Sequence, residues 1–194
     1  MKKYKGIPKS FYTHSFYFAQ MTEETCAQIE AWESGDIDKY LSPEDSRADF
    51  ASSKIYEGLN AYAIFEGENL IAMMSSSDEI NSLVMVIKVN PAFTGRGYGK
   101  HVVDEFLTEA KKHLPGGKFA WAKIDACNMH SIKLLESLGF EDGGRVSKES
   151  PFVIREIQLR EYKTPVKLAY EKARAPMAIR ASANTEHTGT TTKV

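Results

Sequence analysis

Residues 82–107, SLVMVIKVNPAFTGRGYGKHVVDEFL, limit what this chain can fold into more than any other stretch. Residues 82–90 are a nearly continuous apolar run and read as a strand covered on both faces. Three glycines follow at alternate positions, Gly95, Gly97 and Gly99. Beyond them Val102, Val103, Phe106, Leu107, Ala110 and Leu114 recur at helical spacing on one face. A strand therefore enters a helix through bare backbone. The first turn of a helix carries unpaired N–H groups and a partial positive charge, which attract phosphate. Glycines let the chain adopt φ > 0 and aim several N–H groups into one concavity. Arg96 and Lys100 add positive charge at the same place, which favours an anion site over a glycine-rich turn that binds nothing.

Two common phosphate binders fail on spacing. A P-loop needs four residues between its glycines and then Lys-Ser/Thr, whereas three separate Gly95 from Gly99 and His101 follows Lys100. A dinucleotide fold needs GxGxxG, but the third glycine arrives one residue early and Lys100 takes its place.

The rest of the chain narrows the class. Its 194 residues suit one domain with an appended tail, and 42% apolar with 26% charged residues is the balance of a soluble globular protein. A net charge of −1 gives no global reason to bind nucleic acid. Cys26 and Cys127 form no CxxC, and the five histidines show no HExxH spacing, so neither a disulfide framework nor a metal site is expected. No segment reaches the roughly 18 uncharged apolar residues of a membrane span, and a cytoplasmic location is expected.

Residues 15–21 read as an aromatic strand, with Thr22 capping a helix through Trp32. The acidic stretch 32–50, broken by Gly35 and Pro43, reads as one or two short helices. Residues 60–77 form two strands joined at Glu66-Gly67-Glu68-Asn69. The glycine-led helix ends in Lys111, Lys112 and His113 against its negative dipole, followed by Pro115-Gly116-Gly117. A strand over 119–127 follows, then a helix capped by Asn128 and closed by Gly139, then two short strands in GFEDGGRV and FVIREIQLRE. This order predicts an α/β (α+β) domain, a mixed and largely antiparallel sheet with helices on both faces, over residues 1–160. Residues 161–194 read as a C-terminal extension with a disordered end. Its basic and tyrosine-bearing composition allows contact with nucleic acid or a protein, but a solubilising end is the ordinary reading.

The glycine stretch resembles the acetyl-CoA-binding signature of the GNAT superfamily of N-acyltransferases. There a hydrophobic strand ending in a Val-x-Pro-like step precedes Gln/Arg-x-x-Gly-x-Gly/Ala and a helix. The matching residues are Ile87, Val89 and Pro91, then Thr94-Gly95-Arg96-Gly97-Tyr98-Gly99. A second block, NMHSIKLLESLGF, supplies Asn128, Ser131, Leu134 and Gly139-Phe140. The resemblance spans roughly residues 12–160. It departs at two positions: Thr94 replaces the usual Gln or Arg, and Leu135 replaces a tyrosine that many members carry as proton donor to the leaving thiolate.

The resemblance implies an N-acetyltransferase that moves acetyl from acetyl-CoA to a primary amine by direct attack in a ternary complex. It also implies where the cosubstrate lies. The diphosphate would meet the N–H groups of Gly95 to Lys100, with Thr94 alongside and Asn128 and Ser131 on the neighbouring helix. The pantetheine would pair with the backbone of Ile87, Lys88 and Val89 in a splay between strands 82–90 and 119–127. A backbone N–H near Val89 would polarise the thioester carbonyl. For the base, the strand 82–91 has no carboxylate. Asp125 is the first candidate, on the adjoining strand with Lys123 and Cys127 on the same face, and Glu79 is the second; a solvated carboxylate is the plain alternative for each. Cys127 reads as a small buried residue and His130 as a surface one. The acids of 32–50 favour a cationic acceptor such as a polyamine, an aminoglycoside or a basic peptide end. The expected partners are thus acetyl-CoA and an amine, with no metal, no membrane and no nucleic acid, and with a homodimer left open. The rival reading, prompted by Leu135 and the missing strand carboxylate, is a non-catalytic acyl-CoA-binding or sensing module.

Overall fold

The computed structural model describes residues 6–32, 59–78, 82–114 and 118–164. Glu79, the acids of 33–50 and the extension from residue 165 lie outside the described residues. All described residues belong to the first of two units of the chain, Met1–Thr164, the second being Pro165–Val194.

Eight strands form one sheet: β1 Phe11–Tyr12, β2 Tyr17–Gln20, β3 Leu59–Glu66, β4 Asn69–Asp78, β5 Ser82–Val89, β6 Phe119–Asp125, β7 Glu141–Arg145 and β8 Phe152–Gln158. Their spatial order is β1-β2-β3-β4-β5-β6-β8-β7. Every neighbouring pair is antiparallel except β5 and β6. A parallel pair needs a long crossover, and the helix that follows the glycines provides it. The expected mixed sheet is what forms.

Helix α1, Glu23–Glu30, begins at a capping box in which Thr22 and Thr25 satisfy each other's backbone N–H groups. Its Ile29 packs with Met21, Ala61, Ala63 and Met73 on one face of the sheet. Side chains alternate across a strand, so Tyr62 points to the other face. There its ring meets Phe11, Phe18 and Phe106. Phe106 belongs to α2, Tyr98–His113, so helices cover both faces. Helix α3, Met129–Glu136, starts where Asn128 accepts the Ser131 N–H at 3.1 Å, as its sequence predicts.

Three expectations need correction. β5 is not covered on both faces: Leu83 and Met85 are buried, but Val86 to Val89 are only half-buried. Cys127 is exposed, because β6 ends at Asp125 and the cysteine sits in the turn beyond it, where strand alternation no longer applies. Helix α2 is buried well beyond its apolar stripe, since His101, Asp104 and Glu105 are also inside.

Those three polar residues have partners across the fold. The Glu105 carboxylate lies 2.9 Å from His101 Nε2, accepts the Ser15 N–H at 3.1 Å and accepts the Thr13 hydroxyl. Asp104 accepts the Tyr162 hydroxyl. The segment before β2 and the last described segment are thereby fastened to the helix that carries the glycine loop.

Candidate active site

β5 and β6 pair through only three rungs, Ser82 with Phe119, Leu83 with Ala120 and Val84 with Trp121. Beyond them β5 remains paired to β4, Met74 with Ile87 and Ala72 with Val89. β6 likewise stays paired to β8 as far as Asp125 with Phe152. Each strand follows its outer neighbour, so the sheet opens between them as a V with its apex at Val84 and Trp121. A cavity of about 100 Å³ occupies the opening. Met85, Ile87, Ala122 and Ile124 line it from the two strands, Val103 from α2, and Leu134 and Leu135 from α3. Its polar lining is Lys123, Asp125, Asn128 and Ser131.

The glycine loop adjoins this opening. Pro91–Phe93 form a short 3-10 turn after β5, and Asn90 fixes it by donating to Leu70 O at 2.9 Å and accepting from Ala92 N at 3.0 Å. Gly97 is the N-cap residue of α2, at φ 84°, a left-handed conformation that costs an L-residue with a side chain. It provides no side-chain cap. The first backbone bond of the helix is His101 N to Gly97 O at 3.2 Å. The turn of α2 that faces the loop thus has backbone amides where other helices have a capping oxygen.

Gly99 serves a different purpose. A Cβ there would stand 2.9 Å from Leu134 Cδ1 and 3.3 Å from Val89 Cγ2. Bare backbone lets α2 settle against β5 and α3, and Leu134 joins the glycine loop to the cavity. Tyr98 is held by its hydroxyl, which donates to Glu66 Oε2 at 2.7 Å, and by edge contact with Phe93, ring centroids 5.5 Å apart. The Arg96 guanidinium lies 5.9 Å from the Phe93 centroid, a cation–π placement on the exposed side of the loop. Thr94 is exposed and its hydroxyl donates to Pro91 O at 2.9 Å. Lys100 lies half-buried in the first turn of α2.

Of the expected site residues, Ile87, Asp125, Asn128 and Ser131 line the cavity and Gly99 stands against Val89 and against Leu134 of that lining, whereas Lys88, Thr94 to Tyr98 and Lys100 are not among its lining residues. Asp125 lines the cavity and accepts the Cys127 N–H at 2.7 Å, which fixes the turn into α3. Lys123 also lines it, with Nζ 5.0 Å from the Phe152 centroid. His130 is exposed, as expected. Sequence reasoning missed Met74, Met85 and Val103 as lining residues and the Tyr98–Glu66 contact. The first three read as ordinary core, and nothing in local sequence pairs residue 98 with residue 66.

Among the described residues no group of three or more His, Cys, Asp or Glu side chains stands where it could hold a metal ion. None of their helices is long and apolar enough to cross a membrane.

Comparisons with known proteins agree with this geometry. No curated protein matches the chain significantly. A domain from Methanocaldococcus jannaschii DSM 2661 is 24% identical with a TM-score of 0.60, over 76% of this chain and 98% of that one. The aminoglycoside N(6')acetyltransferase of Legionella pneumophila is 13% identical with a TM-score of 0.64, over 78% and 96%. A spermidine N-acetyltransferase SpeG chimera from Vibrio cholerae and hSSAT is 15% identical with a TM-score of 0.64, over 76% and 98%. At such identities the likeness shows the fold. The sequence model of the Acetyltransferase (GNAT) family matches residues 20–140, more than half of the chain, and the protein belongs to that family of acetyltransferases.

Proposed function

We propose that this protein transfers the acetyl group of acetyl-CoA to a primary amine, with both substrates bound together. The observation that carries the proposal is the V between β5 and β6. Two parallel strands that part after three rungs leave main-chain edges able to pair with an extended amide-bearing ligand. The glycine loop adjoins the open end, where the N–H groups of Gly95 to Lys100 suit a diphosphate. Arg96 and Lys100 add charge, and Asn128 and Ser131 stand at the opposite wall. The fit is chemical as well as geometric, since the cavity pairs an apolar lining with a few convergent polar groups.

In the transfer, the amine nitrogen attacks the thioester carbonyl carbon, the C–N bond forms and the C–S bond breaks. CoA leaves as thiolate, and the nitrogen loses a proton. An alkylamine is mostly protonated at neutral pH, its pKa lying near ~10.4, so a proton acceptor is needed. Asp125 takes that role, because it is a carboxylate lining the cavity. A β5 backbone N–H near Val89 polarises the carbonyl. Leu135 has no proton to give, so the thiolate takes its proton from water.

A cationic acceptor is the reading its acids favour: Glu33, Asp36, Asp38, Glu44, Asp45 and Asp49 fall in one short stretch with Lys39 and Arg47. Two of the similar structures are named for spermidine and aminoglycoside acetylation, both polycationic acceptors.

The test is a screen of polyamines, aminoglycosides and peptide amines with acetyl-CoA, following free thiol and product mass. Amine-dependent thiol release with a gain of one acetyl on the amine is expected. Acetyl-CoA binding without such release against every amine would leave a binding module instead.

A further inference from the structure

We infer that the protein acetylates itself at Lys123, whose amine end stands at the cleft between β5 and β6. This rests on the proposed function, since it needs acetyl-CoA in that cleft. The face of the sheet that Lys123 occupies and the reach of its side chain both place it there.

The face follows from register. Ala61 packs with Ile29 of α1. Ser75 is paired with Ala61 in β3 and with Val86 in β5, and cross-strand partners share a face. Strands alternate, so Val84 also lies on the α1 face, and so does its partner Trp121. Lys123 and Asp125 follow Trp121 at period two. Ala122 and Ile124 take the opposite face, that of α2, where Tyr62 meets Phe106. Both sets line the cavity, so the V opens through the sheet. An amine on the α1 face thus reaches the same space as a thioester held from the side of α2.

The side chain reaches towards the proposed base. Lys123 is paired with Ile154, yet its Nζ lies 5.0 Å from the ring centroid of Phe152, two residues along β8. Phe152 is the partner of Asp125 and lines the cavity with it. No other lysine is among the lining residues. A primary amine held beside a carboxylate is the pair that transfer to nitrogen requires. The flexible four-carbon stem lets Nζ swing from the ring to the acyl carbon. Nζ gives up a proton to Asp125, and its lone pair bonds to the thioester carbonyl carbon. The C–S bond breaks, CoA leaves as thiolate and takes a proton from water, and Lys123 becomes the N-acetyl amide.

The experiment incubates the full chain with acetyl-CoA and no added amine, following intact mass, released thiol and the modified position by peptide mapping. One acetyl per chain on Lys123 is expected, with one equivalent of thiol and a first-order rate independent of protein concentration. Lys123→Arg should lose that mark while still binding acetyl-CoA in a titration. Asp125→Asn should slow the marking about 100-fold. Acetyl groups scattered over many lysines at a rate that Gly97→Asp leaves unchanged, or a rate that rises with protein concentration, would overturn the inference. So would an unmodified Lys123 in a chain that still acetylates an added amine. Absence of any transfer, to Lys123 or to an added amine, would overturn the proposed function and this inference with it.

Discussion

The hydroxyl of Tyr98, the first residue of α2, donates to Glu66, the last residue of β3, at 2.7 Å. Asn90 reaches the same hairpin at Leu70 O, so the glycine loop is tied to the β3–β4 turn from both ends. A hydrogen bond to a carboxylate contributes about 1.5–3 kcal/mol at most, and partial exposure trims it. Tyr98→Phe should therefore weaken acetyl-CoA binding about threefold to tenfold, raising the acetyl-CoA KM with kcat nearly unchanged. Steady-state kinetics with acetyl-CoA varied checks the split.

The glycines of the loop should respond differently to replacement. Around Gly97 an added Cβ meets nothing within 4 Å, and an aspartate tolerates positive φ better than most residues. Gly97→Asp is expected to keep the fold and lose at least tenfold in acetyl-CoA affinity, because it puts a negative charge among the amides. Gly99→Asp is a less clean probe, since its Cβ would press on Leu134 and Val89. It should lower the thermal midpoint as well as the affinity. Circular dichroism melts beside cosubstrate titration separate the two.

Asp125→Asn retains an oxygen for the Cys127 N–H and removes the negative charge. If the carboxylate accepts the proton, kcat should fall by about 100-fold or more with little change in acetyl-CoA affinity. Cys127→Ser should leave the rate near that of the parent, as direct attack requires no thiol. Burst-phase and steady-state measurements on both variants check these expectations.

Acid stability should depend on Glu105. Burial pushes its carboxyl up, but the hydrogen bonds from His101, Thr13 and Ser15 outweigh burial and hold it at about 2. A folded-state value below the unfolded one stabilises the fold at pH above the ordinary carboxylate value, near ~4.3. That contribution, roughly 3 kcal/mol in full, should drain away as pH falls from about 4 through about 2. Glu105→Gln should lower the melting temperature at pH 7 by several degrees and flatten its pH dependence over that window. Thermal melts from pH 2 to 7 provide the measurement.

Local sequence determined the elements and the character of the loop. The Thr22 and Asn128 caps, the Gly67 turn, the apolar stripe of α2 and the alternate glycines each act within a few residues, so their patterns survive in one dimension. The composition of the loop was legible for the same reason, because its glycines and cations lie side by side. Tertiary structure decided the rest. The point where β5 leaves β6 depends on how strongly each holds to its outer partner, β4 or β8, and no periodicity in SLVMVIKV records it. The burial of His101 and Glu105 depends on Thr13 and Ser15, some 90 residues away. Hydrogen bonds at such separations, and a cavity lined from β4, β5, β6, β8, α2 and α3, come into being only when the sheet closes. The sequence contains the residues but not their distances.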